Sequence, residues 1–114
     1  MANLPNETII TVLNLERRLL QLINESTAAG FIILEQFGET EETIPELDEL
    51  QNVRERATSY YIRLYRLLLQ ISESQLVATS ATLNLLAQSI AQTQAISDAG
   101  EASTQEIKRN WNLP

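Results

Sequence analysis

The chain has 114 residues, 44% of them hydrophobic, and a formal net charge of −7. This length suits one domain, residues 1–114, or one protomer of an assembly, and the apolar fraction excludes global disorder. The acidic balance argues against nucleic acid as a partner, because proteins that bind phosphate backbones usually carry a basic patch.

Missing residue types exclude several kinds of chemistry. The sequence has no cysteine and no histidine, which removes zinc–sulfur sites, Ser–His nucleophile pairs and the Glu-x-x-His motif of di-iron bundles. No glycine-rich phosphate loop occurs. Glu16 and Glu25 lie nine residues apart on one predicted helix, so they fall on different faces and make a poor acid–base pair. We expect no catalytic residue, no metal, no cofactor and a non-enzymatic protein.

Targeting signals are equally sparse. The segment "MANLPNETIITV" lacks a basic start followed by an apolar core, so it does not predict a signal peptide. No run of about 18 apolar residues is available to span a bilayer, and binding to a membrane surface is disfavoured by the negative charge. We expect a cytoplasmic protein, which the lack of cysteine fits.

The first helix is predicted from about residue 5 to about residue 37. Pro5 suits a first helical turn and Gly38 suits a helix C-terminus. Gly30 interrupts the pattern as either a kink or a close-packing point. Two adjacent apolar seams predict a wide face that contacts more than one helix. One seam comprises Ile9, Leu13, Leu20, Ile23, Leu34 and Phe37; the other comprises Val12, Leu15, Leu19, Leu22, Ala29 and Ile33.

The second helix is predicted from about residue 44 to about residue 72. Thr43 and Glu46 have the spacing of a capping box at its start. Beyond the main apolar seam of this helix lies a second apolar flank, Ile62, Tyr65 and Leu69, which is expected to face either the third helix or another protomer.

Charged side chains gather on a narrow stripe of the second helix. Antiparallel packing of the first two helices would place Glu16 level with Arg66, and Glu25 level with Arg54 and Arg56. Cross-helix ion pairing is the preferred interpretation over an anion site, and the predicted ion-pair stripe comprises Glu16, Glu25, Arg56, Arg63 and Arg66.

The third helix is predicted from about residue 76 to about residue 97. Residues 72–74 are expected to form a tight break between the second and third helices; the alternative is one very long helix with a local distortion. Gly100 is expected to mark a further break, and residues 101–110 either form a short fourth helix or extend the third.

The segment from Ser74 to Ser97 contains no charge. This predicts that the third helix is central or lines an interface between protomers; the alternative is a solvent face of low charge. Ala87, Ala91 and Ala95 would allow close approach of another helix, and Thr79, Asn84 and Gln88 could bond across helices. Trp111, the only tryptophan, is expected to dock the C-terminal tail, the alternative being a partner anchor.

Together these patterns predict an all-α, antiparallel up-down bundle of three long helices. The leading function is an interaction or scaffold module that self-associates, with a dimer favoured and an unidentified protein partner open. The candidate interface comprises Ile62, Tyr65, Leu69, Ala87, Ala91 and Ala95. The alternative is a regulatory bundle that binds a small apolar ligand at Phe31, Tyr61 and Tyr65. In length and pattern the chain resembles small bacterial helical bundles, and no motif identifies a family.

Overall fold

The computed structural model describes residues 4–74 and 80–114. All the secondary structure in this part of the chain is helical: α1 (Asn6–Phe37), α2 (Ile44–Glu73) and α3 (Ser80–Asn110). Each helix packs against the other two, in a body about 55 Å long and about 20 Å wide. The prediction of an all-α bundle of three long helices is confirmed, and the bounds of α1 and α2 agree with those predicted to within one residue.

The core consists of three layers along the bundle. The first contains Val12, Leu15, Leu64, Leu67, Ile71 and Leu86. The second contains Leu19, Leu22, Val53 and Ala57, and the third contains Ala29, Ile33, Leu50 and Ile107. Helix α1 supplies this core from one of its two predicted seams, the one that begins at Val12.

The side chains of α3 that face the core are mostly small. Its apolar contributions, Leu86 and Ile107, lie near its ends, and the buried positions between them are Ser89, Thr93, Ser97, Gly100 and Thr104. Small residues let two helices approach closely. The middle layer therefore contains no large side chain from α3.

Gly100 is a close-packing point, and the predicted helix break at this residue is wrong. A Cβ atom added to Gly100 would lie 2.7 Å from Cδ2 of Leu22 and 3.2 Å from Cγ1 of Val53. Helix α3 runs through Gly100, so residues 101–110 extend it and do not form a separate helix. At Gly30 the added Cβ would meet Leu47 and Leu50 at an ordinary 3.9 Å, so Gly30 is not a close-packing point.

The connection between α1 and α2 is a short polar turn. Gly38 has a φ of +73° and its N–H donates to the carbonyl of Leu34 at 3.0 Å, as predicted for a helix C-terminus. The capping box at Thr43 does not form. The buried Thr43 hydroxyl accepts from the N–H of Thr40 and donates to the carbonyl of Gly38, each at 2.8 Å. It holds the turn together and is thus unavailable to cap α2.

The predicted break after the second helix is confirmed. Helix α2 ends at Glu73 and Ser74 is extended, with ψ of 130°. The predicted beginning of the third helix near residue 76, and the expected cross-helix bond of Thr79, lie outside the described residues. Within 4–74 and 80–114, no helix combines the length and the apolar character needed to cross a membrane.

Candidate functional site

One side of the α1–α2 pair carries large apolar side chains that the chain itself leaves uncovered. We call it the open face and define it by Leu13, Leu20, Phe31 and Leu34 of α1 with Ile62, Tyr65 and Leu69 of α2. Their exposed fractions range from 40% for Ile62 to 65% for Phe31. Leu13, Leu20 and Leu34 belong to the predicted seam of α1 that begins at Ile9, so the core uses only about half of the wide apolar face of this helix.

Two grooves lie between α1 and α2 on the open face. The first, which we call the Glu16 groove, has a volume of about 230 Å³ and is lined by Leu13, Glu16, Tyr61, Tyr65, Leu68, Leu69 and Ser72. The second, which we call the Phe31 groove, has a volume of about 490 Å³, and its wall includes Gly30, Phe31, Leu34 and Leu47. Among the described residues, neither groove is lined by α3.

Glu16 is the unusual member of its groove. Its side chain is buried, with only 9% of the residue exposed, and Oε1 has no hydrogen-bond partner among residues 4–74 and 80–114. Burial without a compensating partner disfavours the charged carboxylate and raises the pKa of Glu16 from 4.5 to about 7. A buried carboxyl in a groove can accept a hydrogen bond from a ligand, pair with a cation or hold a proton near neutral pH.

The opposite side of the α1–α2 pair, which we call the closed flank, is covered by α3. Arg18 of α1 forms a bidentate pair with Glu101, at 2.6 and 2.8 Å, and also bonds Asp98. These partners raise the pKa of the Arg18 guanidinium. On α2, Arg63 lies over the ring of Tyr60 and donates to Oε1 of Gln92 at 3.1 Å. The closed flank is thus sealed by polar contacts at its rim.

The ion pairs predicted for the stripe are absent from the described residues. In the described part of the chain, none of Glu16, Glu25, Arg56, Arg63 and Arg66 forms an ion pair within 4.0 Å; Arg18, which was not predicted, does. Glu16 lines the same groove as Tyr65 and Leu69, whereas none of the predicted partner arginines is among the described residues that line this groove.

The predicted aromatic cluster is divided between the two grooves. Tyr61 and Tyr65 line the Glu16 groove together, whereas Phe31 lines the Phe31 groove. Tyr65 and Leu69 were expected to face either α3 or another protomer. No described residue of α3 lines their groove, and both residues are more than 40% exposed.

The uncharged part of α3, residues 80–97, has one side in the core and its other sides exposed. Its small polar seam faces the core, and Ala87, Ala91 and Ala95 are exposed on other sides. Asn84 and Gln88, which were expected to bond across helices, are exposed too. The interface expected for the three alanines stays a prediction.

Trp111 docks the C-terminal tail, as expected. Its ring packs edge-on against Phe37, with centroids 5.0 Å apart, and its Nε1 donates to Oε2 of Glu46 at 3.1 Å. Trp111 and Leu113 also pack on the third core layer.

The burial of Glu16 was missed from sequence, although a signal existed. Its neighbours three and four residues away on each side are Val12, Leu13, Leu19 and Leu20, all aliphatic. A carboxylate surrounded in this way on a helix points into an apolar surface. Assigning Glu16 to a solvated ion pair overlooked this pattern.

Comparison with protein-family models, with curated proteins and with solved structures found no match. In residues 4–74 and 80–114, no group of three or more Asp and Glu side chains is placed to hold a metal ion. The open face and its two grooves are therefore the candidate site, and their physical properties alone bear on function.

Proposed function

We propose that this chain is a non-enzymatic interaction module that self-associates through the open face, most simply as a dimer. The observation that carries the proposal is the exposure of adjacent large apolar residues: 55% for Leu13, 51% for Leu20 and 52% for Tyr65. Monomeric proteins rarely leave a contiguous apolar patch of large side chains uncovered, and such patches mark interaction sites.

The proposed architecture is an antiparallel, up-down-up bundle. The composition of the core layers supports it: Val12 shares a layer with Ile71, whereas Ile33 shares one with Leu50. Residue numbers therefore rise along α1 as they fall along α2. In this arrangement the open face is a straight pair of helices, which a second pair can cover with the geometry of a four-helix layer.

A second copy can cover the open face provided that the two copies meet mainly through uncharged side chains. Each chain carries a net charge of −7, so two copies repel unless they meet through an uncharged surface. The seven residues that define the open face carry no formal charge, whereas the rim of the closed flank carries Arg18, Asp98 and Glu101. Association through the open face therefore buries mostly uncharged side chains; the charged residues that line its two grooves are Glu16, Glu39, Asp48 and Arg54.

The test is the solution mass by light scattering after size exclusion, across a concentration series, together with thermal unfolding. We expect a dimer whose melting temperature rises with protein concentration, because unfolding of an obligate oligomer is linked to dissociation. Leu20→Lys, on the open face, should yield a monomer. The double variant Arg63→Gln, Arg66→Gln should retain the mass of the wild type.

Leu85→Lys is the matched control, because Leu85 is 49% exposed but lies on α3. It should leave the dimer intact. Ala91→Lys tests the alanine stripe of α3 as a second part of the interface. Dissociation by Ala91→Lys but not by Leu20→Lys would move the interface to α3, and a monomer at every concentration would contradict self-association.

A further inference from the structure

We infer that the Glu16 groove binds a small primary amine with an apolar or aromatic body, whose ammonium group pairs with the carboxylate of Glu16. The inference goes beyond self-association, because every described residue that lines this groove belongs to α1 or α2 of one chain.

The first step is the unpartnered oxygen. Oε1 of Glu16 is buried and accepts no hydrogen bond from the described residues, and no arginine or lysine there pairs with this carboxyl. Buried polar groups in folded proteins nearly always have a partner. A ligand that donates a hydrogen bond and carries a positive charge would supply both missing interactions, since charge-assisted bonds are the strong ones.

The second step is the apolar wall. Leu13, Leu68 and Leu69 provide aliphatic surface, and the rings of Tyr61 and Tyr65 flank the same space. Aromatic rings attract cations as well as apolar groups. The ligand therefore needs an apolar body next to its ammonium group, which excludes inorganic cations and polar amines such as amino sugars.

The third step is size. The groove has a volume of about 230 Å³, somewhat below the range of about 300–1,000 Å³ typical of pockets for drug-sized ligands. A molecule of about ten non-hydrogen atoms fits this space. The Phe31 groove is larger, but the structure gives it no buried, unpartnered polar atom, so it provides no comparable argument for a ligand.

The experiment is a titration with phenethylamine at pH 8, followed by the amide shifts in two-dimensional NMR. It uses the wild type and Leu34→Lys, an open-face variant that should also be monomeric and lies far along α1 from Glu16, so that a second copy covering the open face cannot hide the groove. We expect saturable shifts around Leu13, Tyr65 and Leu69 with a dissociation constant below about 1 mM in at least one of the two proteins. The neutral analogue 2-phenylethanol should bind at least about tenfold more weakly.

Glu16→Gln keeps the shape of the side chain and removes its charge, and it should raise the dissociation constant for phenethylamine at least about tenfold. Glu25→Gln is the matched control on the same helix, outside the groove, and should change affinity less than about twofold. If Glu16→Gln fails to fold, Tyr65→Ala provides the second test, since Tyr65 is half exposed; it should weaken phenethylamine at least about threefold. The inference is overturned by absence of saturable binding to both proteins, by equal binding of the alcohol, or by unchanged affinity in the folded groove variant.

Discussion

The two sides of the α1–α2 pair are built from the same two helices and differ in almost every physical property. On the closed flank, α3 packs so tightly that Gly100 has no room for a Cβ, and Arg18 seals the rim. On the open face, several leucines and Tyr65 remain about half exposed around a buried carboxyl. The comparison teaches that one wide apolar stripe can be divided by the fold, because one part of it forms the core and the other stays exposed.

The largest expected effect concerns Glu16 on the open face. Its pKa is about 7 in the folded chain and near 4.5 when unfolded, so the folded state binds more protons between these values. The contribution of Glu16 to stability is therefore greatest below pH 4.5 and is lost as pH rises through 7, by about 3 kcal/mol in total.

Urea unfolding of the wild type and Glu16→Gln at pH 5 and pH 8 measures this directly. The free energy of unfolding of Glu16→Gln, relative to that of the wild type, should therefore be about 3 kcal/mol higher at pH 8 than at pH 5. A difference between the two proteins that does not change with pH would mean that the carboxyl is solvated in the folded chain.

The next effect compares one glycine from each side. Gly100→Ala should destabilise the fold by about 2 kcal/mol, because the new methyl group overlaps Leu22 in the middle core layer. Gly30→Ala, beside the Phe31 groove, should stabilise it by about 0.5–1 kcal/mol through helix propensity. Chemical denaturation of both variants checks the pair, and equal effects would contradict the difference in packing.

A smaller effect is expected within the small polar seam of α3. The buried hydroxyl of Thr104 has no hydrogen-bond partner in the described part of the chain, whereas that of Thr93 donates to the carbonyl of Ser89 at 2.6 Å. Thr104→Val should raise the free energy of unfolding by about 1 kcal/mol, because it removes an unsatisfied polar group at constant shape. Thr93→Val loses a hydrogen bond and should not raise the free energy of unfolding. A rise for Thr93→Val but not for Thr104→Val would mean that Thr93, and not Thr104, carries the unsatisfied hydroxyl.

The smallest effect belongs to the rim of the closed flank. Glu101→Gln should lower stability by less than about 1 kcal/mol in dilute buffer, since the pair with Arg18 is partly exposed. Most of that difference should disappear in about 1 M salt, where screening is strong. Unfolding at low and high salt tests this, with Glu25→Gln as the control that forms no ion pair; a loss that persists in high salt would indicate packing and not charge.

Much of the fold could be predicted because it depends on local chemistry. Pro5 and Gly38 bracket α1, and the apolar seams of α1 and α2 repeat at helical spacing, so the first two helices follow from the chain alone. The expected break at Gly100 failed because glycine is both a helix breaker and the residue that permits closest packing. Only the presence of Leu22 and Val53 opposite it decides between these roles.

The sequence by itself determined that the chain is all-α, that α1 is apolar over a wide arc, and that catalysis through histidine or cysteine is excluded. The tertiary structure decided which part of that arc is covered, because periodicity fixes the angle of a side chain around its own helix but not the position of the neighbouring helix. It placed α3 against one side, left Tyr65 and Leu69 on the other, and buried Glu16 between the two helices without a partner.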